Sequence, residues 1–70
     1  MKIYGQEQCF FCTKAKEHLD DRGIEYTYID ISKNAEAMQM FREKGLRTVP
    51  QIWNEDIHIG GFEELAKVIK

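Results

Sequence analysis

Cys9 and Cys12 enclose Phe10-Phe11 and are the two cysteines of the chain. Thiols at this spacing can close a small, reversible disulfide. A lone C-x-x-C pair in a strand–helix–strand context points to redox chemistry. The attacking species in thiol–disulfide exchange is the thiolate. Free amides and the dipole at a helix start favour negative charge. The pattern begins a helix at Phe10, so Cys9 sits where its thiolate is stabilised. Cys12, one turn further on, can attack the mixed disulfide that Cys9 forms. Spacing alone thus assigns Cys9 as nucleophile and Cys12 as resolving thiol.

Two blander readings compete with this one. Structural cysteines would gain little here, because so short a loop barely restrains the unfolded chain. A structural zinc site needs about four protein ligands. His18 and His58 are the remaining usual donors. One falls on a charged helix surface and the other alternates with Ile57 and Ile59 along a strand, so neither has ligand spacing to the pair. No metal ligand set is expected.

Positioning the pair requires a small α/β domain. Lys2-Ile3-Tyr4 reads as a first strand and Phe10 to Arg22 as a helix. Phe11, Cys12, Ala15 and Leu19 share one side of that helix, which predicts a buried face carrying Cys12. Leu19, Gly23 and Ile24 fit a glycine C-cap, and Phe41, Gly45 and Leu46 repeat it, so a second helix is predicted over 34–44. Ile24 to Ile31, rich in β-branched and aromatic residues, reads as the strand between them. Thr48 to Trp53 and Ile57 to Ile59 read as a hairpin across Asn54-Glu55-Asp56. Phe62, Leu65, Ala66 and Ile69 mark a final amphipathic helix, acidic at its start and basic at its end. The expected order is β-α-β-α-β-β-α, a mixed four-stranded sheet flanked by three helices, in a single domain over 1–70.

Composition narrows the function classes. Seventy residues support one modest core. The net charge is −2 with acids and bases interspersed, and no basic stripe is present, which argues against nucleic-acid binding. No apolar run is long enough for a membrane span. The N-terminal residues run straight into a strand pattern and do not read as a signal peptide. A cytoplasmic monomer is the expectation, and in such a reducing setting the pair serves chemistry rather than stability.

Three further positions carry weaker signals. Pro50, the one proline, is by default a strand-edge stop. A cis bond there would turn the Val49 backbone toward an extended substrate. Gly60-Gly61 is by default a hairpin exit, while free amides around Phe62 and Glu63 suit a carboxylate. Phe10 lies outside the buried stripe, where an exposed aromatic beside Cys9 can meet partners.

Taken together, Ile3-Tyr4 leading to Cys9-Phe10-Phe11-Cys12, then Thr48-Val49-Pro50-Gln51-Ile52, then Ile59-Gly60-Gly61-Phe62-Glu63-Glu64-Leu65 resemble the glutaredoxins, small proteins of thioredoxin-like fold. The likeness spans nearly the whole chain. It implies a glutathione-linked thiol–disulfide oxidoreductase with Cys9 attacking, Pro50 cis and glutathione as co-substrate, with no bound cofactor. Val49 would pair through its backbone with the cysteinyl part of glutathione. Thr48 and Phe11 would line the same groove, and Gly61, Phe62 and Glu63 would hold the γ-glutamyl carboxylate. Disulfide-bearing proteins are the implied partners, ribonucleotide reductase among them.

The chain departs from the family in two places. Phe10-Phe11 replaces the common Pro-Tyr, and Gln6 stands where many members carry Lys. Gly45-Leu46-Arg47 and Gly61-Phe62 are also similar to redoxins that serve ribonucleotide reductase and draw electrons from thioredoxin reductase. A third reading is a non-enzymatic iron–sulfur carrier, which some family members are; the intact second cysteine favours redox work.

Overall fold

Alternation along the first strand sets the layers. The computed structural model describes residues 1–70. In β1 (Lys2–Gly5), Ile3 is fully buried on one face, while Tyr4 turns to the other. Ile3 joins Ala15 and Leu19 of α1 (Phe10–Asp21), Ile52 of β3 (Gln51–Asn54) and Leu65 of α3 (Phe62–Val68) in one apolar cluster. Tyr4, with Ile29 of β2 (Thr27–Asp30), packs against Ile31 and against Ala37 and Phe41 of α2 (Ala35–Lys44). Helices α1 and α3 therefore cover one face of the sheet and α2 the other.

The sheet runs β2-β1-β3-β4, with β4 spanning Ile57–Gly60. β1 pairs parallel with β2, Ile3 opposite Tyr28. It pairs antiparallel with β3, Ile3 opposite Ile52, and β3 pairs antiparallel with β4. This is the mixed sheet and the element order that the pattern predicts. Both glycine-capped helix ends form as expected. Gly23 and Gly45 take left-handed φ values of 68° and 69°. Ile24 donates back to Leu19 O at 3.0 Å and Leu46 to Phe41 O at 2.8 Å, satisfying carbonyls that the helices leave open. Asn34 starts α2 by accepting from the Ala37 amide at 3.0 Å.

Four boundaries and faces differ from expectation. β2 begins at Thr27 rather than Ile24, because the Ile24 amide is spent on the helix cap and the first bond to β1 runs from Thr27 N to Met1 O. β3 begins at Gln51 rather than Thr48, since Pro50 has no N–H to give a ladder. α3 ends at Val68, and Ile69 is its extended cap. Phe11 does not share the burial of Cys12: it is 51% exposed, against 1% for Cys12. The apolar stripe of α1 is covered from Cys12 onward, and the Phe11 ring stacks instead on Phe62, centroids 6.1 Å apart.

The seat of α3 rests on Leu65, fully buried between α1 and the sheet. Leu65→Ala should cost about 2–5 kcal/mol in urea unfolding, as large core truncations do. Val68→Ala, on a side chain 64% exposed, should change stability by no more than about 0.5 kcal/mol. Equal losses would contradict this assignment of the core.

Candidate active site

Local chain geometry delivers Cys9 to a helix start. Gln8 takes a left-handed φ of 59°, a turn that L-residues adopt uncommonly. Cys9 follows as the N-cap of α1, extended at φ −105° and ψ 113°. Its Sγ lies 3.2 Å from the Cys12 amide, which donates to it. Thr13 adds a hydroxyl bond to Cys9 O at 3.2 Å. The sulfur thus meets one of the amides that a helix start leaves unpaired, as an anion there would. Cys9 and Cys12 are joined in a disulfide, and no cysteine is free.

The second wall comes from far along the chain. Cys9 Sγ stands 3.8 Å from Val49 O, in the segment ahead of β3. The Val49-Pro50 bond is cis, as the resemblance implies. Neither the amide nor the carbonyl of Val49 takes part in a backbone–backbone hydrogen bond. A free strand edge of this kind can pair with an extended peptide. Gln51, almost fully buried, braces this segment. Its side-chain amide donates to Thr48 O at 3.1 Å and to Thr48 Oγ1 at 3.2 Å. Its oxygen accepts from His58 Nε2 at 2.7 Å, and the His58 ring stacks on Trp53 at 4.2 Å.

A cleft of about 190 Å³ runs beside Val49. Phe11, Thr48, Val49, Pro50, Gly61, Phe62, Glu63 and Glu64 line it. The structure therefore brings together every sequence-predicted groove residue, and the disulfide opens onto the groove at Val49. Phe10, 68% exposed, meets the Phe11 ring edge-on at 5.2 Å, and Lys14 stands over it. The two histidines lie apart from the sulfurs in their contacts. His18 bonds Ile69 O and meets Phe62, rather than standing free on a charged surface, and His58 holds Gln51. No group of three His, Cys, Asp or Glu side chains converges as a metal site.

Two site residues escaped sequence reasoning. Glu64 lines the cleft and accepts from the Gly61 amide at 2.8 Å. Its signal was an acidic residue three positions after the cap, the reciprocal half of a capping box. Gln51 stands in the Thr48-Val49-Pro50-Gln51-Ile52 stretch with no role of its own assigned, and its partners are Thr48, three residues earlier, and His58 on β4.

With that geometry in view, comparison with known proteins is decisive. The family model described as Glutaredoxin matches residues 1–59. Glutaredoxin 3 of Escherichia coli K12 is 36% identical over 66 residues, covering 93% of this chain and 80% of that protein. The chain belongs to the glutaredoxin family. As a glutaredoxin with its cysteine pair intact, it is a thiol–disulfide oxidoreductase of thioredoxin-like fold. Among solved structures, the glutaredoxin-like NrdH-redoxin of Escherichia coli superposes with a TM-score of 0.85, covering 99% of this chain and 92% of that one. At 24% identity that likeness speaks for the fold alone. Buckwheat glutaredoxin in complex with glutathione superposes with a TM-score of 0.80 at 26% identity, covering 94% of this glutaredoxin and 64% of that chain.

Oxidation in solution should remove two thiols per chain without raising the mass to that of a dimer, checked by thiol counting and intact-mass measurement. In the reduced protein, iodoacetamide should label Cys9 well before the buried Cys12. Labelling of Cys12 first would reverse the assigned order of attack.

Proposed function

We propose that this glutaredoxin reduces protein disulfides and glutathione mixed disulfides through Cys9 and Cys12, with glutathione as the returning reductant. The observation that carries the reading is the groove: a sulfur at a helix start, 3.8 Å from the carbonyl of a residue whose backbone pairs with no other strand, beside a cleft walled by Thr48-Val49-Pro50 and Gly61-Phe62-Glu63.

The cycle follows from that placement. The Cys9 thiolate attacks a substrate disulfide and expels one thiolate. Cys12 then attacks Cys9 Sγ, expelling the second and closing the internal disulfide. A glutathione thiolate reopens the bridge at the more exposed Cys9 and releases Cys12. A second glutathione attacks the first one's sulfur, freeing Cys9 and leaving oxidised glutathione. Val49 would hold the cysteinyl part of the tripeptide by backbone bonds. The zwitterionic γ-glutamyl end carries a carboxylate and an ammonium. Amides near Gly61 and Phe62 suit the first, and Glu63 and Glu64 suit the second. Glutathione enters as co-substrate, and no resident cofactor takes part in the cycle. A reducing compartment such as the cytoplasm is the fitting setting, because it regenerates the dithiol.

A second reading changes only the reductant: Gly45-Leu46-Arg47 and Gly61-Phe62, with Phe10-Phe11 between the cysteines, suit a redoxin fed by thioredoxin reductase. Coupled turnover with each reducing system separates the two. Glutathione with its reductase should support turnover, and turnover with thioredoxin reductase alone would overturn the first reading. Cys9→Ser should abolish disulfide reduction. Cys12→Ser should still reduce glutathione mixed disulfides while losing activity on protein disulfides that need a dithiol. Equal, complete loss in both variants would reject that division of labour.

The groove has its own test. Isotope-edited NMR titration with oxidised glutathione should shift Val49, Gly61 and Phe62. Gly61→Val should weaken binding, because the added side chain would take up cleft space between Glu64 and Pro50 O. Shifts confined elsewhere would remove these residues from the site.

A further inference from the structure

We propose that the Tyr28 hydroxyl is the hydrogen-bond donor for Cys12 Sγ during disulfide exchange, reaching it across the bare α-carbon of Gly5. The proposal rests on the Cys9-first dithiol cycle above and on no property of glutathione.

Cys12 is 1% exposed, so water does not solvate a charge on its sulfur. Yet charge must pass through it. When an incoming thiolate attacks Cys9, Cys12 Sγ leaves as an anion, and in the opposite direction Cys12 must lose its proton to attack. A buried anion without a donor is costly. A phenol lies across Gly5 from Cys12 Sγ, not bonded to the sulfur in the oxidised structure. A Cβ built on Gly5 would stand 2.7 Å from Tyr28 Oη and 2.8 Å from Cys12 Sγ. Both atoms therefore border one point in space, and Gly5 presents no side chain between them. In the oxidised structure the phenol gives its one proton to Gln6 O at 3.2 Å, so donation to Cys12 requires the hydroxyl to turn from that carbonyl once the sulfur is charged.

The surroundings keep that proton in place. Burial first, then the charges of Asp30 and Glu7, pushes the Tyr28 phenol above the ordinary tyrosine range. Lys16 Nζ stands 4.3 Å over the ring and fixes its position. Tyr28 is thus a neutral donor at the pH where thiols exchange. It keeps its proton throughout. In the resolving step the Cys12–S bond to Cys9 forms, the Cys9–S bond to the substrate sulfur breaks, and the Cys12 proton leaves with the departing thiol or to solvent. The phenol only lends a hydrogen bond to the sulfur while it is charged.

Single-turnover oxidation of the reduced protein by hydroxyethyl disulfide tests this. Two thiols should be released in two phases, the first from attack by Cys9 and the second from attack by Cys12. Tyr28→Phe keeps the ring and its Lys16 contact. It should slow the second phase about tenfold, the size of one hydrogen bond to a charged group, and leave the first unchanged. In a Cys12→Ser background, which has only the first phase, adding Tyr28→Phe should change nothing. Gly5→Ala, which must displace Tyr28 or Cys12, should slow the second phase as well. Equal slowing of both phases, or an undiminished second phase in Tyr28→Phe, would overturn the proposal. Failure of the glutathione reading would show separately, in the coupled assay.

Discussion

Everything at this site depends on how closely the first turn of α1 approaches the end of β1. Gly5 is the contact point: any Cβ there would meet Cys12 Sγ at 2.8 Å, inside normal contact distance. The missing side chain lets Cys12 sink against the strand while Cys9, three residues earlier, remains at the helix start. One sulfur is then shielded and the other offered. The asymmetry of the two thiols is thus a packing result before it is an electrostatic one. Ala15 and Leu19, buried against Ile3, Ile52 and Leu65, hold α1 at that distance.

The antiparallel arm of the sheet supplies the other half. β3 pairs with β1 through Ile3 and Ile52, which places the segment before β3 next to the segment after β1. Val49 reaches Cys9 for this reason, although 40 positions separate them. The hairpin to β4 then returns the chain to Gly60-Gly61 and into α3, so Phe62 comes to stack on Phe11. Three short segments with little structure of their own become one groove because a single small core fixes all three.

Much of this was legible in the sequence, and the gaps have physical causes. Helix ends were readable because Gly23 and Gly45 answer a local steric demand for left-handed φ. The roles of Cys9 and Cys12 were readable because helical geometry converts spacing directly into place. Strand starts were less so: whether Ile24 joins a ladder depends on whether its amide is needed by the preceding helix cap, a competition that composition does not reveal. Phe11 was misplaced for a related reason. Periodicity gives the direction of a side chain but not how far its covering layer extends. Gln51 and Tyr28 were beyond reach because their roles depend on residues that other elements bring to them, His58 of β4 for Gln51 and Gly5 of β1 with Cys12 of α1 for Tyr28.

The charge pattern of the groove bears on how such a site can bind. Its lining holds two carboxylates, Glu63 and Glu64, and no basic side chain, and Gln6 leaves no cation just ahead of Cys9. Long-range attraction of an anionic tripeptide is therefore weak. What remains is short-range: unpaired backbone at Val49, amides at the start of α3, and the apolar surface of Phe11 and Phe62. Glu64 already occupies the Gly61 amide at 2.8 Å, so an incoming carboxylate must compete with an internal one. Affinity for the tripeptide, on the proposed function, would come from shape and backbone pairing rather than from charge. The exposed Phe10 and Phe11 rings add apolar surface beside the disulfide; on the proposed function, that surface would suit substrates that bring their own extended chain and apolar side chains to Cys9.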